Sequence, residues 1–476
     1  MAHVNSRHRN GGDPLIAFGR RFARQEDGTI TIFACFMIMM MLMIGGIGAD
    51  MMRHEMERTR IQAVADRAVL AAADLDQTLD PEFVVRDYFE KSGMADFVSS
   101  VTVDQGLNYK TVTVDASTTI NTQFMDALGV ETLSVPAIST AEEKVSKVEI
   151  SLVVDISGSM NSNQKMARLQ NAAKVFVDTV ITPENKDLIS LSLVPYSEHV
   201  NPGPLIFNRL SVNKMHDYSY CIEFPDAEFN STRLNHNITY DQMQHFQWNY
   251  YSITSGWQVN TRTDTVCPRW EYEQILPFSQ NAQQIKDQID LLRPRVGTAI
   301  YLGMKWGVAL LDPSYRRVNR AISDQGYVDA VFRPRPVAYS DTETLKTVIL
   351  MTDGQNSSSQ RITPWYYDSS SEVAHWANYN LNFYLYNYLS SWQHSSFYET
   401  KYTSWQGDSL LQNICDAAKN RNIVIWSIGF EVTDHGANVM RNCASSPSHF
   451  FRVEGVQISE AFSSIARQIN QLRLTQ

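Results

Sequence analysis

The chain has 476 residues, 43% of them hydrophobic and 19% charged, with a formal net charge of -10 at pH 7. That length predicts two or three domains rather than one. The acidic balance argues against nucleic acid as the main partner, because phosphate binding needs a basic face. The absence of any C-x-x-C or His-x-x-x-His spacing in the sequence leaves zinc and iron–sulfur chemistry without support.

Residues 1–29 read as a tail carrying Arg7, Arg9, Arg20, Arg21 and Arg24. Residues 30–49 follow without one charge, a run that spans about 30 Å as a helix and matches the hydrocarbon thickness of a bilayer. The arginine-rich side predicts a cytoplasmic N-terminus with the bulk of the chain outside. A cleaved signal peptide is the competing reading, since Gly45-Gly-Ile-Gly-Ala imitates a small-residue cleavage site. From residue 50 to 76, Ile61, Val64, Ala65, Ala68, Val69, Ala72 and Leu75 fall at three- and four-residue intervals, which predicts an amphipathic stalk helix. Glu57, Arg58, Arg60, Asp66 and Arg67 take its wetter side.

The Gly28 before the span, the Asp50 after it and the Ala-rich stretch around Asp66 resemble the N-terminus of TadE/TadG-like proteins of the bacterial tight-adherence (Flp pilus) assembly system. The resemblance covers about fifty residues. It implies an inner-membrane protein working with other pilus-assembly or envelope proteins.

Residues 77–146 begin with a short helical pattern at Pro81-Glu-Phe-Val-Val-Arg and pass into alternating runs such as Lys110-Thr-Val-Thr-Val-Asp, predicting a small α+β module. From 147 to 476 strand and helix patterns alternate, predicting a mainly parallel sheet covered by helices. The predicted strands are 148–155, 188–194, 347–352 and 423–429. The helices are 164–181, 281–292, 300–311, 410–420 and 459–472. Two insertions interrupt the frame, at about 203–273 and 356–408.

Three loops carry oxygen ligands. The strand ending at Asp155 runs into Ile-Ser157-Gly-Ser159, where Gly158 permits a turn. Thr298 follows Gly297 between two helices, and Asp353 ends the strand from 347. Hard oxygens with little charge suit a small divalent cation that keeps part of its water. In an open parallel sheet such loops meet outside the carboxyl ends of the strands. A D-x-S-x-S match alone is weak, because loops are rich in these residues.

With Thr298 and Asp353 added, the set resembles the metal-ion-dependent adhesion site of von Willebrand factor type A (vWA) domains. The resemblance implies a Rossmann-like, doubly wound α/β domain and makes Asp155, Ser157, Ser159, Thr298 and Asp353 the metal ligands. Mg²⁺ is the implied ion, with Mn²⁺ or Ca²⁺ as substitutes, and a partner's acidic residue completes its shell. The bland alternative is a scaffold whose ion only braces the loops. Together with the N-terminal segment, the vWA pattern points within that family to TadG-like proteins.

Cys35 lies in the apolar run. Cys221, Cys267, Cys415 and Cys443 form an even set that pairs if that part is exported. Proximity predicts Cys221–Cys267 and Cys415–Cys443, one of three possible pairings, with four buried thiols as the alternative. From Trp365 to Trp405 the second insertion is crowded with aromatics among Ser and Asn. Such composition suits an adaptable binding surface, or a small core that holds the insertion together. Catalysis lacks support: no G-x-S-x-G elbow occurs, and His199, His375, His394 and His435 are scattered, reading as surface or satisfied histidines.

Overall fold

The computed structural model describes residues 27–74, 77, 79–105, 109–144, 147–248, 260 and 264–475. The five arginines of the tail and Leu75 of the stalk lie outside the described residues. The chain divides into two compact units, Met1–Lys144 and Val145–Gln476.

In the first unit, span and stalk form one continuous helix, α1 (Asp27–Ala73). Its first half is apolar and exposed, with Phe33, Ile38 and Met41 open to their surroundings. The second half buries Ile61, Ala65, Ala68, Val69 and Ala72, the stripe expected of a helix with one wet face. That stripe packs on α2 (Pro81–Lys91) and on an antiparallel sheet of β1 (Val98–Gln105), β2 (Tyr109–Asn121) and β3 (Thr132–Lys144). Asp80 caps α2 by accepting the Phe83 N–H at 3.0 Å, with Pro81 in the first turn where its missing N–H costs nothing. Inward residues alternate along the strands, Val112, Val114 and Ala116 facing the core with Val135 and Ala137. The stalk therefore supplies more than a third of this unit's core.

The second unit is built on six strands. In chain order they are β4 (Lys147–Asp155), β5 (Ile189–Tyr196), β6 (Leu276–Ser279), β7 (Thr344–Thr352), β8 (Val424–Phe430) and β9 (Phe450–Val453). Their spatial order is β9-β8-β7-β4-β5-β6, with every pair parallel except the edge strand β6. Every residue of β5 and β7 is buried, as is every residue of β4 after Lys147, which explains their near-continuous apolar runs. Its helices of ten or more residues are α3 (Lys165–Val180), α4 (Ala282–Leu291), α5 (Ile300–Leu311), α6 (Ser404–Lys419), α7 (Asp434–Cys443) and α8 (Gln457–Thr475). Val153, Val348 and Leu350 share one core with α5 and α6. The alternate residues Leu152, Val154, Ile349 and Met351 are also buried and face the other side of the sheet. There α3 and α8 pack on each other through Phe176 and Phe462.

Several features differ from the sequence reading. Helix α6 starts at Ser404, six residues before the predicted 410, because Thr403 and Gln406 form a reciprocal capping box. Strands β6 and β9 have four residues each, too short for a periodic signal. The cysteines, by contrast, pair as expected, Cys221 with Cys267 and Cys415 with Cys443. Much of the aromatic insertion is core: Tyr367, Trp376, Leu381 and Leu385 pack with Cys221, Met243, Phe246 and Cys267 of the first insertion. Trp365, Trp392 and Trp405 stay exposed. His199 is fully buried with its Nε2 4.0 Å from Glu223, so it is not a surface histidine; it lies between the two insertions, where periodicity gives no sign of burial.

Candidate functional site

The sheet order makes β4 and β7 adjacent, although 188 residues separate Lys165 and Asp353 at the loops they lead into. The chain leaves β4 for β5 on one side and returns to β7 on the other. The crevice at their carboxyl ends is therefore the switch point where open α/β sheets collect ligands. Met351 pairs with Val154, so Thr352 and Asp155 end side by side.

Four of the five sequence-predicted ligands form one hydrogen-bonded oxygen cluster there. The Ser157 N–H donates to Asp155 Oδ1 at 2.7 Å, turning the chain directly after the strand. The Ser157 and Ser159 hydroxyls lie 3.0 Å apart. Ser159 donates to Asp353 Oδ1 at 2.5 Å and Ser157 to the same oxygen at 3.4 Å. Asp155 and Ser157 are fully buried, and Asp353 is 4% exposed.

Thr298 joins through its backbone. Its N–H donates to the Ser357 hydroxyl and its carbonyl accepts the Ser357 N–H, both at 2.8 Å. The preceding Arg295 N–H donates to the Ile156 carbonyl at 2.7 Å. The Thr298 loop is thus tied both to the loop after β4 and to the loop after β7. Gly297 makes the turn at φ +77°, and a Cβ there lies 2.3 Å from the Glu198 Cβ, so only glycine fits.

Three participants carried no sequence signal. The Thr352 hydroxyl donates to Asp155 Oδ2 at 2.7 Å and accepts the Gly354 N–H at 3.2 Å. Lys165, at the start of α3, places its ammonium 3.1 Å from Asp353 Oδ2 and 3.7 Å from Glu431. Asn356 accepts the Ile300 N–H and donates to Asp408, both at 2.8 Å, joining the site to α5 and α6. Thr352 adjoins a predicted ligand and Lys165 opens a predicted helix, so proximity was the one available hint for each.

Burial, followed by the charge of Asp353, pushes the Asp155 carboxyl up to about 7. The two carboxylates disfavour one another's charge, and the Lys165 ammonium stands on the far oxygen of Asp353. Among the described residues no group of three His, Cys, Asp or Glu gathers to hold a metal; the other side-chain oxygens of the cluster are the Ser157 and Ser159 hydroxyls. An all-oxygen set of this kind fits Mg²⁺, Mn²⁺ or Ca²⁺ and not a soft metal. Behind it, Glu198 is 4% exposed beside Arg361, and burial raises its carboxyl to about 7 against the pull of that guanidinium.

Fold and site together define an α/β protein with a hard-oxygen cluster at the switch point of a mainly parallel sheet. Residues 28–75 match the family model described as Tad, putative Flp pilus-assembly TadE/G-like. A comparison with curated proteins gives no match. Among solved structures, the von Willebrand factor domain of the type V pili tip protein Mfa5 from Porphyromonas gingivalis is 14% identical with a TM-score of 0.35, covering 69% of this chain and 97% of that one. The pilus adhesin SpaC from Lactobacillus rhamnosus GG is 12% identical with a TM-score of 0.35, covering 78% of this chain and 34% of that one. The adhesive tip pilin GBS104 from Group B Streptococcus agalactiae is 11% identical with a TM-score of 0.33, covering 68% of this chain and all of that one.

Proposed function

We propose that this chain is a non-enzymatic, membrane-anchored TadG-like pilus-assembly or adhesion protein. In this reading residues 147–476 are a vWA domain that grips a partner's carboxylate through a divalent ion. The observation that carries it is the oxygen cluster of Asp155, Ser157, Ser159 and Asp353 at adjacent strand ends. Asp155, Ser157 and Ser159 with Asp353 and Thr298 hold Mg²⁺, directly or through water. Because three of these donors are neutral hydroxyls, the ion keeps enough positive charge to attract an incoming Asp or Glu. The match of residues 28–75 to the TadE/G-like model supports the pilus-assembly setting. The apolar first half of α1 supports a membrane anchor, and the arginines that precede it in the sequence support a cytoplasmic N-terminus with the larger unit outside. The two disulfides agree with an oxidising compartment.

Asp155→Ala tests it. Thermal stabilisation by Mg²⁺ or Mn²⁺ should disappear, and piliation or adherence of cells carrying the variant should disappear with it. Lost metal response with intact piliation turns the reading to a scaffold braced by its ion.

A further inference from the structure

The β2–β3 connection is tied to the end of the apolar run in a way that neither the metal site nor the stalk requires. Asp50, the first charged residue after the run, is 2% exposed although it sits on a helix whose neighbours are open. Its carboxylate accepts three consecutive backbone N–H groups, from Gln123 at 3.0 Å, Phe124 at 2.8 Å and Met125 at 2.9 Å. These open the single helical turn Met125–Leu128 at the tip of the connection. One turn earlier on α1, Gly46 lies under the Phe124 ring, where a Cβ stands 2.4 Å from ring carbons. The tip thus reaches back alongside the uncharged run, about 5 Å before its end at Ala49, given 1.5 Å rise per residue.

The rest of the hairpin holds this alignment. His54 Nε2 lies 2.9 Å from the Ser134 carbonyl, Gln62 donates to the Ile138 carbonyl at 3.1 Å, and the Ser139 hydroxyl donates to Asp66 at 2.6 Å. Strand β3 therefore climbs the helix in step with it, and the connection before β3 lies at the apolar end. At that end Phe124, Leu128 and Val130 are 47%, 52% and 37% exposed. Three large apolar side chains on and beside one short turn cost free energy in water, and Phe124 among them lies against the run at Gly46. From Phe124 to Glu131 the sequence has Asp126 and Glu131 but no Lys or Arg. The tip itself therefore offers no attraction to anionic headgroups; the nearby cation is Arg53 on α1, 3.9 Å from Asp50.

We propose that the tip formed by Phe124, Leu128 and Val130 is a second membrane contact, seated in the interfacial layer of the outer leaflet beside the span. This rests on the reading of residues 30–49 as a membrane anchor. The occupant is the lipid bilayer itself, entered by apolar burial and not by charge. Asp50 is its positioning residue: it feeds the tip's free N–H groups so that the backbone can lie at the interface without water. A helix held at two points cannot swivel freely, so the unit leaves the membrane at a set angle.

The test uses the full chain with Cys35→Ala, reconstituted in phosphatidylethanolamine vesicles with a minor share of phosphatidylglycerol. Spin labels are placed singly at Leu128→Cys, at Met41→Cys in the span and at Lys91→Cys on the exposed surface. Collision rates with oxygen and with a water-soluble nickel chelate report depth. The expected result is a Leu128 label several-fold richer in oxygen over nickel collisions than the Lys91 label, on the side of Met41, and unchanged by 0.5 M salt, where the screening length is ~4 Å. Asp50→Ala should return the Leu128 label to water while Met41 stays in lipid. A Leu128 label that follows Lys91 while Met41 reports lipid overturns the tip proposal alone. A Met41 label in water overturns the anchor and the tip together. A Leu128 label shielded from both reagents shows protein covering the tip, and it also overturns the lipid assignment.

Discussion

Replacing Asp155 with Asn separates the burial cost of its carboxylate from its use. Burial and Asp353 raise the Asp155 carboxyl from an ordinary 3.8 to about 7. The sign is unfavourable: a group whose folded value lies above its unfolded value is protonated preferentially in the fold. Stability of the metal-free protein therefore falls as pH rises from about 4 to about 7. At 1.36 kcal/mol per unit, ionising Asp155 costs up to about 4 kcal/mol by pH 8. Asp155→Asn removes that cost, less about 1–2 kcal/mol for imperfect hydrogen bonds to Ser157 and Thr352. The metal-free variant should thus melt higher than the natural protein at pH 8, by roughly 2–3 kcal/mol of stability. Mg²⁺ at a hundred times its dissociation constant should stabilise the natural protein by about 2.7 kcal/mol. For a unit spanning Val145–Gln476, that corresponds to about 4 °C at the usual unfolding entropy per residue. The variant should show no Mg²⁺ shift. Melting curves in EDTA and in Mg²⁺ at pH 8 measure both effects. Equal Mg²⁺ shifts in the two proteins, or a variant less stable than the natural chain in EDTA, would refute the argument.

Gly297→Ala should destabilise the larger unit by about 2 kcal/mol or more, through positive φ and the approach to Glu198, and should weaken Mg²⁺ binding by displacing Thr298; denaturant titration and calorimetry check the two parts. Replacing Cys415 and Cys443 together with Ala should cost about 3–4 kcal/mol for a closed loop of 28 residues, read as a lower denaturant midpoint. Burial holds His199 down to about 4, so its contribution is complete above pH 6.5 and declines as pH falls toward 4. Glu198, raised to about 7 by burial, acts oppositely by gaining its proton in the fold. Glu198→Gln removes that offset and should make the protein lose roughly 2 kcal/mol more than the natural chain between pH 7 and pH 5, visible as a steeper fall in urea midpoint.

Local physics determined the elements that periodicity can reveal. The uncharged run at 30–49, the stalk stripe from Ile61 to Ala72 and the buried strands read at 148–155 and 347–352 each carried a pattern that the observed elements follow. Helix α5 fell at Ile300–Leu311, as read, because its turn at Gly297 and its following Asp312 mark both ends. Asp155 and Asp353 were legible as candidate ligands because each stands where an apolar strand stops, and Ser157 and Ser159 because they follow in the same loop. The pairing of nearby cysteines was legible as well, since short loops close at least entropic cost.

What only the tertiary structure decided depends on contacts between segments far apart in the chain. Nothing in its own surroundings marks Lys165 as the partner of Asp353, and Thr352 reads as one more strand residue until β4 lies beside β7. The two insertions look separate in sequence, yet they share a core around Cys221, Cys267 and Trp376. Their apolar residues follow no single period, because each faces the other insertion rather than a sheet. Asp50 is the sharpest case. In sequence it is a charge that ends an apolar run; in the fold it holds three N–H groups of a turn 73–75 residues away. A carboxylate announces its charge locally, but the donors that satisfy it are chosen by the path of the whole chain.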